Sequence, residues 1–464
     1  MGHNIVRKTD PSALAQWRSF VKIKMTVFMV IAALASSSCI FTAKYSVGGT
    51  LVGLAVGSTG IVLQNNSGDS LTLTGNGTFT FSEGVTNDNA YSVTVSTQPT
   101  EPVEQTCTVR NGTGTIDKAA VSNVIVICTQ PGQFAYVANG VANDISAYVI
   151  DPTNGELTDV AGSPFAASGT TPTALVVDPN GAYLYGANNT TNTVTAYAID
   201  PTTGELTASG LGSATGSEPA AVAMDPAGHY LFVANFGDNT VSVFSVGASA
   251  ALTAVTGSPF QVGEGPSSLQ VDPFGNYLYV ANFSSADISV FGIDAATGTL
   301  TAISGSPFGA GTDPISIAID PTGAFAYVAN EGGADISMYA VNSTTGALTA
   351  VSGSPFATTT DPVALAFDPE GRFVYAANVT SDNSVSSYTV TPTSGVLAVA
   401  NTVASGGTLP VSLAVDPSGL YLYAANQNSN TVSVFSIDTA TGALSAVPGS
   451  PFIAESQPRA IAID

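Results

Sequence analysis

This chain is short of positive charge: its 464 residues hold 10 Lys and Arg against 33 Asp and Glu. Six of the ten cations fall within the first 44 residues, so residues 134–464 carry only Arg372 and Arg459 against 26 acidic groups. A surface with that balance repels phosphate backbones, which argues against nucleic acid as a partner and against anionic membrane faces. Tryptophan is reduced to Trp17, so any sugar-stacking platform further along must use Tyr or Phe, with Phe236 and Phe283 the candidates. No Cys-x-x-Cys-His is present and no cysteine follows Cys128, so covalent haem has no attachment point. The apolar run Met25–Ala35 has 11 residues, well short of the roughly 20 that a membrane-spanning helix needs.

What the chain has in abundance is repetition. A variant of Tyr-Val-Ala-Asn ends at Asn139, Asn188, Asn235, Asn282, Asn330, Asn378 and Asn426, at gaps of 47 to 49 residues. A fixed period in the 40–50 range, with strand patterns inside each unit, predicts a β-propeller. In the unit over residues 312–360, Ile315–Ile319 reads as a first strand and ends in Asp320-Pro321-Thr322-Gly323, the residue set of a type I turn. Phe325–Ala329, Ile336–Val341 and Leu348–Val351 read as the second to fourth strands. The fold class is therefore all-β: a seven-bladed propeller over residues 131–464.

The ends of the array predict how the ring closes. The first unit begins at Phe134, inside its second strand, whereas the chain ends with Pro458-Arg-Ala-Ile-Ala-Ile-Asp464, the missing first strand. The C-terminal strand is expected to complete the first blade and remove the free edges of an open array.

Residues 1–39 read as an export signal, with Arg7, Lys8, Arg18, Lys22 and Lys24 before the apolar run. The small residues Ser36–Ser38 before Cys39 resemble a bacterial lipoprotein cleavage site that would make Cys39 a lipidated N-terminus, anchoring the protein to a membrane through lipid alone. The usual Leu three positions before the Cys is Ser36 here, and simple secretion or an uncleaved anchor stay open. Residues 40–130 read as a small β-sandwich spacer. An exported protein meets an oxidising compartment, so Cys107 and Cys128 are expected to form a disulfide.

The acidic residues divide into two series. Asp178, Asp225, Asp272, Asp320, Asp368 and Asp416 sit in Asp-Pro-x-Gly turns and are expected to be turn formers. Asp144, Asp238, Asp287, Asp335 and Asp382 lie just before third strands. Calcium takes 6 to 8 oxygen ligands; if the chain holds it, Asp238, Asp287 and Asp335 are the ligands to test, although no D-x-[DN]-x-[DN]-G loop is present. No other cofactor is expected.

With its Tyr-Val-Ala-Asn and Asp-Pro-x-Gly units, residues 134–464 resemble the seven-bladed lactonase-family propellers, which include 6-phosphogluconolactonase-type enzymes and surface-layer proteins with Tyr-Val-Thr-Asn repeats. The resemblance implies the propeller fold and hydrolysis of a sugar lactone, with Pro-Arg-His in one first strand and Asn-Glu after a second strand. Here only Pro458-Arg459 keeps the Arg, no unit keeps the His, and Asn330-Glu331 stands in a different blade. The sole histidine of the propeller, His229, follows an Asp-Pro-x-Gly turn at the opposite end. Two arginines do not make a phosphate-binding cluster. The leading expectation is thus a monomeric, non-enzymatic cell-envelope binding or display protein, recognising a polar ligand, a carbohydrate or a protein partner on one loop face. The alternative is a divergent lactonase with Glu331 as general base, Asp313 beside it, and Arg459 as the matching cation. Arg459 is alternatively expected to pair with Glu455.

Overall fold

The computed structural model describes residues 43–464 apart from 53, 55–57, 101–104, 130–133, 211, 359 and 381–382. The export segment with Cys39, and Asp382 of the acidic series, lie outside the described residues.

Residues 134–464 form seven antiparallel sheets, each in the order first-second-third-fourth, and six of them are built from consecutive strands. In blade 5 these are Pro314–Ile319, Phe325–Asn330, Asp335–Val341 and Leu348–Ala350. The first strands of neighbouring blades touch one another round the whole ring, which makes them the innermost strands. Blade 1 is completed as the sequence predicts: Pro458–Ile463 pairs antiparallel with Phe134–Asn139.

Three repeated devices hold the blades. The first is the Asp of Asp-Pro-x-Gly, a turn former as expected. In blade 6 the buried carboxylate of Asp368 accepts the backbone N–H of Phe373 (2.7 Å), and Gly371 takes the left-handed φ of 65° that lets the chain reverse. Ring closure reproduces this turn between the two ends of the propeller. Phe134 N–H donates to Asp464 Oδ1 (2.8 Å), and Asp464 N–H donates back to the Phe134 carbonyl (3.2 Å). Burial pushes the carboxyls of Asp225, Asp272, Asp320, Asp368 and Asp416 above the usual carboxylate range, outweighing the backbone N–H bonds that pull them down.

The second device is the aromatic residue of each second strand. Tyr136, Tyr185, Phe232, Tyr279, Tyr327, Tyr375 and Tyr423 are wholly buried, each ring contributing about 2–3 kcal/mol relative to exposure. Four of the hydroxyls tie one blade to the next. Tyr136 donates to Gly204 O, Tyr279 to Gly346 O, Tyr327 to Gly395 O, and Tyr423 of blade 7 to Gly155 O of blade 1. Among the described residues the Tyr185 and Tyr375 hydroxyls have no partner; in blade 3, which Tyr185 would reach, the glycine turn between third and fourth strands is replaced by a short 3₁₀ turn, Ala248–Ala250.

The third device is the asparagine that ends Tyr-Val-Ala-Asn. All seven are fully buried. In blade 5 the Asn330 amide donates to Asp335 Oδ1 (2.6 Å) and Ser337 Oγ (2.9 Å) and accepts from Gly311 N–H (3.1 Å). A side chain at Gly311 would collide with that carboxamide, its Cβ lying 2.5 Å away. The most regular motif of the sequence is therefore a structural latch.

The N-terminal module has two four-stranded sheets sharing one buried cluster that includes Val47, Leu51, Ile61, Leu63, Phe79 and Val126. Cys107 and Cys128 are register partners on adjacent antiparallel strands and form the expected disulfide.

Candidate functional site

The end of the propeller that carries the asparagine latches is the one where chemistry differs between blades. The residue after each latch runs round the ring as Gly140, Asn189, Phe236, Phe283, Glu331, Val379 and Gln427. Each donates its backbone N–H to the residue that precedes the proline of its blade's first strand, as Glu331 does to Asp313 O (3.0 Å). A second row, the residue after that proline, borders the channel. Thr173 Oγ1 donates to Pro219 O (2.9 Å) and Ser267 Oγ to Pro314 O (2.8 Å), each reaching into the next blade. Arg459 occupies this row in blade 1.

Glu331 is half-buried. Its carboxyl is pushed above the usual range, chiefly by burial and then by the negative charges of Asp361 and Asp313. Asp313 holds its place at a left-handed φ of 55°, a conformation that costs a non-glycine residue free energy and occurs at several of the equivalent entry positions. Asp361 is the residue that reading the sequence missed. It stands at the repeat position of Asp313 one unit later, and because the ring sets blade 6 beside blade 5, its carboxylate faces the exit of Glu331. Superposing the units on one another and then closing the ring would have found it.

Arg459 lies three blades round the ring from Glu331. Its guanidinium crosses Gly140, where a Cβ would stand 2.3 Å from Nε. Only glycine at this position makes room for it. Nη2 donates to Gln457 Oε1 (3.5 Å), and the buried Nε has no partner. The expected pairing with Glu455 does not form, and among the described residues no carboxylate lies within ion-pair distance of Arg459. Glu331, Asp313 and Asp361 thus form one acidic focus, and Arg459 forms a separate cationic one at the same end of the ring.

Each of the three aspartates expected for calcium has one carboxylate oxygen in a hydrogen bond. Asp287 Oδ1 accepts from the Asn282 amide (2.7 Å), Asp335 Oδ1 from the Asn330 amide (2.6 Å), and Asp238 Oδ2 from Ser217 N–H (2.6 Å). They lie in three different blades, and among the described residues no three of His, Cys, Asp or Glu stand close enough to hold a metal ion. His229 is exposed at the opposite end of the propeller.

The comparisons agree with this architecture. The lactonase family, described as a seven-bladed β-propeller, matches residues 87–213 and 213–456. The chain belongs to the lactonase family of seven-bladed β-propellers. The family match begins at residue 87, inside the N-terminal module. Among solved structures, this lactonase-family chain is similar to a candidate 6-phosphogluconolactonase from Bacteroides uniformis, with a TM-score of 0.63 and 21% identity over 72% of this chain and 100% of that one. It is similar also to the periplasmic gluconolactonase PpgL of Pseudomonas aeruginosa, with a TM-score of 0.61 and 22% identity over 71% of this chain and 98% of that one. At such identities the likeness establishes the fold alone. No curated protein matches the sequence. Family membership favours the lactonase alternative over the non-enzymatic display role that the sequence reading put first.

Proposed function

We propose that the chain hydrolyses the ring ester of an uncharged lactone at the latch end of its propeller, in the oxidising compartment to which a lipidated Cys39 or a cleaved signal would deliver it. The observation that carries this reading is the Glu331–Asp313–Asp361 focus. A general base works best with a pKa near the operating pH, and burial plus two like charges move Glu331 in that direction. Deprotonated Glu331 accepts a proton from water as the water oxygen bonds to the lactone carbonyl carbon. The ring C–O bond then breaks, and the alkoxide recovers a proton from Glu331, leaving a hydroxy acid. Arg459, among the described residues the one cation at this end, stands three blades from Glu331 and lends the developing oxyanion long-range positive charge, not a direct contact.

The substrate carries no phosphate, because residues 134–464 hold only two basic residues and one of them, Arg372, is engaged by Asp368 and Glu370. The test is a pH-stat assay of the mature chain against unphosphorylated five- and six-membered sugar lactones, with spontaneous hydrolysis subtracted. Acid release that vanishes in Glu331→Gln supports the proposal. No turnover across the panel overturns it and returns the binding role to first place.

A further inference from the structure

The opposite end of the propeller carries a second recognition feature, unrelated to the lactone site. The N-terminal module lies against the Asp-Pro-x-Gly turns, and between them runs a trough made of two cavities of about 830 and 500 Å³ that share Gly77 and Phe274 as walls. Arg110 stands in the larger cavity and His229 in the smaller, with Phe274 where the two meet.

We propose that this trough binds a carbohydrate chain bearing a single carboxylate, with the carboxylate at Arg110. The first argument is charge. Arg110 is half-buried, yet among the described residues its guanidinium has neither an ion pair nor a hydrogen bond. Among the other described cations, Lys44 pairs with Glu83, Arg372 pairs with Asp368 and Glu370, Lys118 is exposed, and Arg459, bonded to Gln457 with its buried Nε unpartnered, stands at the opposite end of the ring. A partly desolvated guanidinium with no anion gains from a carboxylate that offers it two parallel acceptors.

The second argument is the rest of the wall. Asn111, Asn123 and Asn276 present amides and Thr78 a hydroxyl, while the carboxyls of the two walls, Asp320 and Asp225, are buried and accept backbone N–H groups of their own turns, Phe325 and Tyr230. The amides and the hydroxyl suit sugar hydroxyls, and Phe274 supplies a ring face for a sugar's apolar side. Length is the third argument, since two joined cavities fit a chain better than a single small molecule. The ligand carries one negative charge near Arg110 and few elsewhere, because the propeller's surplus of 24 acidic groups repels a polyanion.

The experiment is calorimetric titration of the full mature protein with tetragalacturonic acid singly charged at its reducing end, its other carboxylates methyl-esterified, and with neutral maltotetraose as control. Saturable binding of the charged probe is expected, at least tenfold tighter than maltotetraose and weakened by salt. Arg110→Gln should lose at least tenfold in affinity, Arg110→Lys should recover part of it, and Phe274→Ala should weaken both probes together. Lactone turnover, being at the other end of the ring, should be unchanged in Arg110→Gln. Absence of saturable heat, or equal affinity in wild type and Arg110→Gln, would overturn the proposal.

Discussion

Blade 1 and blade 5 follow one plan from different pieces of chain. Both carry a wholly buried tyrosine, Tyr136 or Tyr327, that bonds to a glycine of the next blade, and both end the second strand in a buried asparagine that grips the start of the third. Blade 5 is continuous, whereas blade 1 takes its first strand from the far end of the chain. They part company one residue beyond the latch. Blade 5 places Glu331 there, between two aspartates, while blade 1 places Gly140, over which Arg459 lies. Latch and tyrosine repeat because every blade must close against its neighbour. The residue after the latch repeats its backbone bond in every blade but not its side chain, so it can carry chemistry.

The most severe way to break the comparison is to remove what blade 1 borrows. Deleting Pro458–Asp464 takes away the innermost strand, its buried Ala460, Ile461 and Ala462, and the Asp464 bonds that close the ring. The propeller should lose its cooperative thermal transition in calorimetry, whereas loss of the same length from residues 40–50 should leave that transition in place. Next come the two chemical positions. Glu331→Gln should lower kcat for lactone hydrolysis about 10²–10⁴-fold, and Arg459→Gln, acting only at long range, about tenfold or less, with melting temperatures close to wild type. In the active protein kcat/KM should rise with pH through an apparent pKa above the ordinary carboxylate range, since the base must lose its proton.

A smaller effect separates latch from chemistry. Asn330→Ala leaves half-buried Asp335 and buried Ser337 without their donor and should cost about 1–3 kcal/mol in denaturant unfolding. Tyr327→Phe removes a single interblade bond and should cost about 1 kcal/mol. Tyr185→Phe, whose hydroxyl has no partner, should cost nothing measurable; an equal loss in both would refute the interblade tie.

The gentlest probe is pH. The turn aspartates from Asp225 to Asp416 have raised carboxyls, so the folded state holds their protons more tightly than the unfolded chain. Stability from these groups is fully present below the unfolded value of about 3.9 and is lost as pH rises through the folded values. The denaturant midpoint should therefore rise modestly as pH is lowered from neutrality toward about 4. The exposed caps Asp151, Asp200, Asp294 and Asp438, whose carboxyls are lowered, work in the opposite sense only below that window.

Much of this architecture was legible from residues alone. Strands, turns and ring closure depend on local alternation, on Asp-Pro-x-Gly chemistry and on a period long enough to count, and Phe134 and Asp464 advertise their pairing by what each end lacks. The disulfide could be read because only two cysteines remained once the export segment was set aside. The partner of Glu331 could not. Asp361 is 30 residues away in sequence, and the two meet only because closing a ring sets each blade's entry loop beside its neighbour's exit. The same closure leaves Arg459 without the expected Glu455 and lays it over Gly140. Sequence by itself determined the blade, because turns and strand periodicity act over a few residues. The tertiary structure decided which charges face one another, because that depends on the angle between blades and on no local pattern.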